Sequence, residues 1–312
     1  MQRHAYYIGV DGGGTCSKAV LMDEKYKILK KAKGDCLNYY SINYRTAKLH
    51  FQSLMDRVTD TFDKKDVLGI VIGMSALDHE EDQEKANNFA KDIFPNADVY
   101  MNSDLYAAIM GHTLGKPGVM VVAGTGTMIM AIDRNGKEHI AGGYGYLLGD
   151  HGSAYTIAVE AIEKALLAYE GVEEKTILQK EMMKHFSIID YRDLIKVIYG
   201  SRNPRKKISS FAPCVSVAAE SGDQCALKIL KANAQRLADM TVSLIRRTGL
   251  TDLDSVGIYG GVLINDQIVR THFSEIIQSN FPGINIIEPV NTPEIGAAIV
   301  AVSRGSHIHG IS

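Results

Sequence analysis

Two short glycine-rich turns each join a pair of apolar segments with the composition of β-strands. The first turn is Asp11–Thr15 and the second is Gly124–Thr127. Glycine has no Cβ, so the backbone N–H groups of such turns can approach an anion closely. Two hairpins of this kind in one chain predict a nucleotide whose phosphates are held from both sides of a cleft. The flanking segments are residues 6–10, 17–23, 119–123 and 128–133.

The first turn departs from two common phosphate-binding motifs. Residues 9–14 have the glycine spacing of a P-loop, but Thr15 stands where that motif requires lysine. The dinucleotide-binding motif, started at Gly12, needs a glycine in place of Ser17 and a helix after it, whereas a strand-like segment follows. For either turn alone, an ordinary tight hairpin is the alternative. The presence of two such turns in one chain favours phosphate binding over two ordinary hairpins.

Composition limits the class of protein. A chain of 312 residues suggests two domains, and its formal net charge of −2 argues against a nucleic-acid-binding surface. The four cysteines form no CxxC pair, so a zinc or redox motif has no support, and their scarcity fits a reducing compartment. The N-terminal segment lacks the apolar region of a signal peptide, and no run is long enough to span a membrane. We therefore expect a cytoplasmic protein with no membrane or nucleic-acid partner.

The predicted elements alternate between strands and helices. Their order is β-β-β-α-β-α-β-α up to a turn cluster at residues 115–118, which is the expected domain boundary. The second half repeats the hairpin and then inserts long helices, of which 153–168 and 225–247 have the clearest helical spacing. Pro293 is suited to the first turn of a final helix. Two further strands are predicted at residues 255–259 and 284–287.

The order of the short motifs along the chain is that of a known family. The motifs are Asp11–Thr15, Asn102–Asp104, Gly124–Thr127, Gly142–Ser153, Gly260–Val262 and Pro293–Ala298. Over residues 6–302 the chain resembles N-acetylglucosamine kinases of the BadF/BadG type, in the superfamily of acetate kinase, sugar kinases, heat-shock chaperones and actin. The resemblance implies an α/β fold with two ribonuclease-H-like (actin-like ATPase) domains around a central nucleotide and sugar cleft. The N-terminal domain is expected at 1–115 and the C-terminal domain at 116–292, with a helix near 293–304 packing back on the first domain.

The resemblance also implies ATP and Mg²⁺ as cofactors, and we expect a homodimer. Asp11 would hold Mg²⁺ directly or through water, although an aspartate before glycine also simply forms turns. The residues expected to face the phosphates from the first domain are Gly12, Gly13, Gly14 and Thr15. Those expected to face them from the second domain are Gly124, Thr125 and Gly126. The expected adenosine contacts are Ser209, Gly260, Gly261 and Asn265.

Two aspartates are expected to act on the acceptor sugar. Asp104 matches the family's catalytic aspartate at a strand-to-helix junction, which makes it the expected general base for the sugar 6-hydroxyl. Asp150 matches an aspartate that binds sugar hydroxyls. Each stands near the start of a helix, where aspartate is also a preferred N-cap, so capping is the alternative for both. The remaining expected sugar contacts are Asn38, Thr127, Gly143 and Tyr144, and for Asn38 a surface turn is the alternative.

The chain differs from the family pattern at Tyr144, where the family has tryptophan, and at His151, where it has glutamate. The second change replaces a fixed negative charge with a group that titrates near neutrality. The expected activity is ATP-dependent phosphorylation of the 6-hydroxyl of an N-acetylated amino sugar, N-acetylglucosamine first. N-acetylmuramic acid, alone or together with N-acetylglucosamine, is the alternative substrate. An ATPase that activates a radical dehydratase or reductase is the other class, but such activators ligate an iron–sulfur cluster with several cysteines.

Overall fold

The computed structural model describes residues 4–74 and 79–309. The chain divides into two compact units. Unit 1 comprises residues 1–117 and 289–312, and unit 2 comprises residues 118–288. Each unit contains one five-stranded mixed sheet with helices packed against it, and this confirms the predicted α/β class.

The sheet of unit 1 has the strand order β3-β2-β1-β4-β5. The first three strands form an antiparallel meander, and β4 and β5 continue the sheet in parallel with β1. Strand β4 is a continuous apolar run that is buried along most of its length, which is typical of a parallel strand covered on both faces. The strands are β1 Tyr6–Gly12, β2 Cys16–Asp23, β3 Ile28–Asp35, β4 Val67–Gly73 and β5 Asp98–Asn102.

Helices cover the unit 1 sheet. They are α1 Tyr44–Val58, α2 His79–Ala90, α3 Asp104–Thr113 and α12 Pro293–His309, and a short 3-10 helix lies at Lys64–Asp66. Helix α12 lies directly against β1 and α3, because glycine at two positions removes the side chain between them. A Cβ on Gly9 would overlap the α12 backbone at Ala298, and a Cβ on Gly296 would overlap the α3 backbone at Ala107. The last helix is therefore an integral layer of unit 1.

Unit 2 repeats the same sheet arrangement. Its strand order is β10-β9-β6-β7-β8, with β6, β7 and β8 antiparallel and β9 and β10 parallel to β6. The strands are β6 Gly118–Ala123, β7 Thr127–Ile132, β8 Glu138–Gly142, β9 Ser255–Tyr259 and β10 Asn285–Ile287. Both glycine-rich turns thus connect the first two strands of a sheet, as predicted from their flanking segments.

The helices of unit 2 form a larger layer than those of unit 1. The longest, α9, buries an apolar stripe that includes Leu230, Leu237 and Leu244 at helical spacing. The helices are α4 Ala154–Tyr169, α5 Ile177–Phe186, α6 Asp193–Tyr199, α7 Pro204–Ser209, α8 Ala212–Glu220, α9 Gln224–Thr248, α10 Gly261–Asn265 and α11 Gln267–Asn280. They share one apolar core with β6, β7 and β9.

Candidate active site

The first glycine-rich turn lies at the end of β1 in unit 1. Strands β1 and β2 pair up to Gly12 and Ser17, which leaves Gly13, Gly14 and Thr15 to make the connection. A Cβ on Gly13 would overlap the carbonyl oxygen of Cys16. The turn therefore depends on glycine, and its exposed tip leaves backbone groups accessible to an anion.

Asp11 lies in β1 just before this turn, in an acidic environment. Desolvation raises the pKa of the Asp11 carboxyl, and the negative charges of Glu294 and Asp104 raise it further, while Lys18 acts in the opposite direction. Glu294, on the first turn of α12, is only 6% exposed. Its Oε2 atom has no hydrogen-bond partner among the described residues. A cation beside Asp11 would neutralise both carboxylates, so these residues fit a divalent metal ion.

Asp104 is the first residue of α3, but it is not the N-cap. Ser103 caps the helix, since its hydroxyl accepts a hydrogen bond from the Tyr106 N–H at 3.0 Å. The capping alternative for Asp104 is therefore wrong. Asp104 Oδ1 accepts from the Leu105 N–H at 2.8 Å, and the outer side of the residue is exposed to solvent. Protein atoms packed around the carboxyl raise its pKa by desolvation, against the backbone hydrogen bonds, which lower it.

Strand register brings Asp11 and Asp104 to the same edge of the unit 1 sheet. Asp11 pairs with Gly73 of β4, and Gly73 pairs with Asn102 of β5, two residues before Asp104. Because β1, β4 and β5 are parallel, their carboxyl ends meet at this edge, which is where ligands bind in open α/β sheets. The predicted metal-binding and general-base residues are therefore neighbours.

Asn38 follows β3 and is buried, so the surface-turn alternative for it is wrong. Its Oδ1 accepts from the Tyr40 N–H at 2.9 Å, and the preceding Leu37 donates its N–H to Gly13 of the glycine-rich turn at 3.4 Å. The next residues are fixed by Asp82 on α2, which is 1% exposed. Asp82 accepts hydrogen bonds from the hydroxyls of Tyr39 and Tyr40. This bracing cluster was not predicted from the sequence.

The second glycine-rich turn, in unit 2, is closed by a hydrogen bond from the Gly124 N–H to the Gly126 carbonyl at 2.9 Å. The Gly124 carbonyl in turn accepts from the N–H of Ala154, the first residue of α4. A Cβ on Gly126 would overlap Arg205 Nη2 and would lie 2.8 Å from Asp150 Oδ2. Glycine at this position thus lets two charged side chains lie against the turn.

Asp150 is 3% exposed and has a left-handed backbone, with φ of +63°. Helix α4 is capped by Ser153, which forms a capping box with Thr156, so the capping alternative for Asp150 is also wrong. One carboxylate oxygen accepts from the Thr127 N–H at 3.3 Å, and the other pairs with Arg205 at 3.1 Å. The guanidinium of Arg205 also lies over the ring of Tyr146, 5.3 Å from its centroid.

The loop before Asp150 contains the other predicted sugar contacts of unit 2. Gly143 has a φ of +76°, and its N–H donates to the Thr127 carbonyl at 3.0 Å. Thr127 is buried, and its hydroxyl donates to the Asp150 carbonyl at 3.4 Å. Tyr144 is 73% exposed, so its ring is available to a ligand. His151, the departure noted in the sequence, is exposed beside Asp150.

A cavity of about 570 Å³ opens in unit 2 beside the second glycine-rich turn, within the usual size range of small-molecule sites. Four helices and the turn contribute to its wall. Gly260, just before α10, has a φ of +96°, and a Cβ there would lie 2.5 Å from the Ala123 carbonyl oxygen. The predicted nucleotide-binding residues on the cavity wall are Gly124, Thr125, Ser209, Gly261 and Asn265.

Arg205 and Glu294 were not singled out from the sequence. Each follows a proline that begins a helix, Pro204 for α7 and Pro293 for α12. Arg205 also precedes Ser209 by one helical turn, so a helix beginning at Pro204 places both side chains on one face. This four-residue spacing from Ser209 could have indicated Arg205 as a site residue. For Glu294 the only indication in the sequence was its position within the motif Pro293–Ala298.

Comparison with known proteins identifies the family. Residues 8–301 match the BadF/BadG/BcrA/BcrD ATPase family. The chain belongs to this family. The membership predicted from the ordered motifs is confirmed, and it implies that the protein uses ATP. Across residues 4–74 and 79–309, no helix combines the length and the apolar character needed to cross a bilayer.

Two sugar kinases are similar in sequence to this chain, and they align along nearly their whole length. The chain is 28% identical to N-acetyl-D-glucosamine kinase of Dictyostelium discoideum, covering 95% of this chain and 98% of the relative. It is 27% identical to the N-acetylmuramic acid/N-acetylglucosamine kinase of Clostridium acetobutylicum, covering 96% and 99%. The fold is similar to that of a proposed N-acetylglucosamine kinase from Chromobacterium violaceum, with a TM-score of 0.71 at 21% identity over 96% and 99% of the two chains.

Proposed function

We propose that this ATPase-family protein is an ATP-dependent kinase that phosphorylates the 6-hydroxyl of an N-acetylated amino sugar, with N-acetylglucosamine as its main substrate. The observation that carries the proposal is the arrangement of unit 2. There the cavity lined by Gly124 and Thr125 adjoins a turn whose next glycine lies against Asp150. A phosphoryl donor and a hydroxylated acceptor would thus be held by adjacent residues. Two full-length relatives are kinases of such sugars.

In this proposal the cavity binds the nucleoside of ATP. Ser209 and Asn265 supply polar groups, and Gly261 lets a flat base approach the backbone. The phosphates then follow the glycine-rich turn formed by Gly124, Thr125 and Gly126. Gly12, Gly13, Gly14 and Thr15 supply the equivalent backbone donors of unit 1. Such preorganised N–H groups stabilise phosphoryl charge without having to reorganise during the reaction.

Magnesium would be held at Asp11, with Glu294 Oε2, which lacks a hydrogen-bond partner among the described residues, available to a metal-bound water. Among the described residues, no group of three or more histidine, cysteine, aspartate or glutamate side chains could enclose a metal ion. This suits Mg²⁺, which is usually bound through one or two carboxylates together with substrate phosphates and water. When bound, the ion would neutralise charge on the phosphate oxygens.

The acceptor sugar would be held by Asp150, Asn38 and Thr127, with Tyr144 and Gly143 beside it. Asp104 would accept the proton of the 6-hydroxyl. Its raised pKa suits this role, since a base is more effective when its pKa lies closer to the working pH. Positioning of the hydroxyl by the same carboxylate would contribute further, because phosphoryl transfer depends mainly on alignment and charge.

N-acetylmuramic acid is the second candidate substrate, since the Clostridium acetobutylicum relative is a kinase of both sugars. We further propose that the enzyme works in the cytoplasm, as a homodimer. The test of the activity itself is product identification. Purified protein is incubated with ATP, Mg²⁺ and N-acetylglucosamine, and the product is analysed by ³¹P–¹H correlation NMR. Phosphate coupled to the C6 protons is expected, whereas phosphate at another hydroxyl or free phosphate alone would contradict the proposal.

A further inference from the structure

Arg205 is a charged side chain of unit 2 that the proposed mechanism leaves without a role. It lies on α7, one turn before Ser209 of the nucleotide cavity. Its Nη2 atom lies against the Cα of Gly126 and 3.1 Å from Asp150 Oδ2. The guanidinium is therefore located where the glycine-rich turn and the proposed sugar-binding carboxylate meet.

The hydrogen-bonding capacity of Arg205 is only partly used. Its Nε atom is buried and has no hydrogen-bond partner in the described part of the chain. Within residues 4–74 and 79–309 its ion-pair partner is Asp150, and the side chain is 35% exposed. A guanidinium has five N–H groups in a fixed plane and is well suited to binding two oxygens of one oxyanion. Contact with the ring of Tyr146 restrains its orientation.

The position of Arg205 relative to the cavity indicates which oxyanion it would bind. Gly124 and Thr125 lie on the cavity wall, and Gly126 is the next residue of the same turn. A polyphosphate that followed this turn out of the cavity would reach Gly126, and hence Arg205, with its terminal phosphate. The turns themselves contain no lysine or arginine, although phosphoryl transfer commonly uses such a cation.

We infer that Arg205 binds the terminal phosphoryl group of ATP and stabilises it during transfer, with Asp150 holding the guanidinium in place. In the transfer, a bond forms between the sugar O6 and the terminal phosphorus. The bond from that phosphorus to the bridging oxygen breaks, and ADP leaves with the electron pair. The hydroxyl proton passes to Asp104. Arg205 exchanges no proton and acts only through charge and hydrogen bonds.

The first arm of the test measures nucleotide affinity without sugar, and it therefore does not depend on which sugar is used. Calorimetry compares ADP with a non-hydrolysable ATP analogue on the full-length wild type, Arg205→Gln, Arg205→Lys and the control Lys206→Gln. We expect Arg205→Gln to lower the affinity for the ATP analogue about tenfold, as for one lost charged hydrogen-bond pair. The affinity for ADP should stay within about twofold of the wild-type value. Arg205→Lys should be intermediate, and the exposed control unchanged. An equal loss for ADP and analogue would overturn the inference.

The double variant Asp150→Asn/Arg205→Gln separates direct contact from charge neutralisation. If Arg205 merely cancels the Asp150 charge, removal of both charges restores analogue affinity, and the inference is wrong. If Arg205 touches the phosphate, the affinity stays low. Thermal unfolding of each variant shows whether the single change destabilises the fold, in which case the lysine and double variants decide the question.

The second arm, which rests on the proposed function, measures kcat with N-acetylglucosamine and N-acetylmuramic acid. We expect Arg205→Gln to lower kcat for both sugars about 10³-fold or more, in the range of other phosphate-stabilising arginines. Loss confined to N-acetylmuramic acid would mean that Arg205 binds the sugar carboxylate, which overturns the inference. Wild-type protein that phosphorylates no sugar would contradict the proposed function, while the nucleotide affinities would still test Arg205.

Discussion

Thr127 and Asp150 are joined by two hydrogen bonds, from the Thr127 N–H to Asp150 Oδ1 at 3.3 Å and from the Thr127 hydroxyl to the Asp150 carbonyl at 3.4 Å. Thr127 directly follows Gly126 of the glycine-rich turn. The proposed sugar-binding carboxylate is therefore tied to the proposed phosphate-binding backbone. A shift in one would be transmitted to the other, and this coupling suits a reaction that requires in-line alignment.

Replacing Asp150 should separate sugar binding from ATP binding. We expect Asp150→Ala to raise the KM for N-acetylglucosamine by about 10- to 100-fold, because buried sugar hydroxyls would lose a charged partner. The KM for ATP should rise less than the sugar KM, because Asp150 acts on the phosphate only through Arg205. Steady-state kinetics check both values. Asp252→Ala is the matched control, since Asp252 also pairs with an arginine of unit 2 but lies on the surface. An ATP KM that rises as much as the sugar KM would contradict the assignment.

Replacing Asp104 should remove most catalytic activity without weakening ATP binding. We expect Asp104→Asn to lower kcat by about 10²–10⁴-fold, the usual contribution of a general base. ATP affinity should remain near the wild-type value, because the proton comes from the acceptor. Rapid-quench measurement of one turnover, together with calorimetry of ATP binding, tests this. A variant that keeps near-full kcat would exclude Asp104 as the base.

Ionisation of Asp104 should raise activity and lower the stability of the folded state as the pH increases. The base works when ionised, so activity falls as pH drops through the pKa of Asp104, which burial raises. The folded state holds that proton more tightly than the unfolded chain, so stability falls as pH rises through the same interval. Asp104→Asn should therefore have a higher Tm than the wild type at pH 7 and an equal Tm below the ordinary aspartate range. Calorimetric melting curves at both pH values provide the test, and equal Tm values at pH 7 would contradict it.

Activity should require a divalent cation. Excess chelator should abolish turnover, and Mg²⁺ should restore it, because the ion offsets charge on the phosphates. Asp11→Ala should raise the Mg²⁺ concentration needed for half-maximal activity by about tenfold or more, the loss expected for one charged contact. Glu294→Gln should raise it less, if Glu294 acts through a metal-bound water. Undiminished turnover in chelator would exclude the metal.

The Asp82 cluster should hold Asn38 in position. Asp82→Ala leaves two tyrosine hydroxyls without their acceptor. We expect a loss of about 1–3 kcal/mol in the free energy of unfolding, from the half-buried Tyr39 hydroxyl, together with a raised sugar KM. Urea unfolding checks the first effect. Asp92→Ala is the control, because its pairing with Lys48 is on the surface. Unchanged stability would show that the cluster does not brace the loop.

Most strands could be predicted from the sequence because they are apolar and bounded by turn residues. Strand β9 was predicted at the bounds that the structure shows, residues 255–259. Strand β8, by contrast, is a sheet-edge strand with the sequence EHIAG and only half-buried side chains, so it gives no apolar run. The final helix continues to residue 309, beyond the expected end near 302–304. The short helices α5 to α8 lack the long periodic pattern that made α4 and α9 recognisable.

Candidate site residues could be proposed from the sequence where they belong to short local motifs. The glycine-rich turns stand at strand ends, Asp104 follows the end of β5, and Asp150 lies in the loop before α4. Motif order singled out all of them. Arg205 is 55 residues from Asp150, and Asp82 is 43 residues from Tyr39. Such contacts arise from the packing of helices against the sheet, and a single sequence carries no spacing rule for them. The residues that hold the site in place therefore emerge only from the fold.

The most direct test of the proposed activity is kcat/KM for N-acetylglucosamine, N-acetylmuramic acid and glucose on one preparation, by coupled ADP release. Glucose leaves the proposed acetamido pocket unfilled, which should weaken its transition-state binding by about 1–3 kcal/mol. We therefore expect kcat/KM for N-acetylglucosamine to exceed that for glucose by about 5- to 150-fold. N-acetylmuramic acid at or above the level of N-acetylglucosamine would identify a muramic or dual kinase. Glucose as the best substrate would contradict the amino-sugar assignment, and no turnover of any sugar by an iron-containing protein would point to a dehydratase or reductase activator instead.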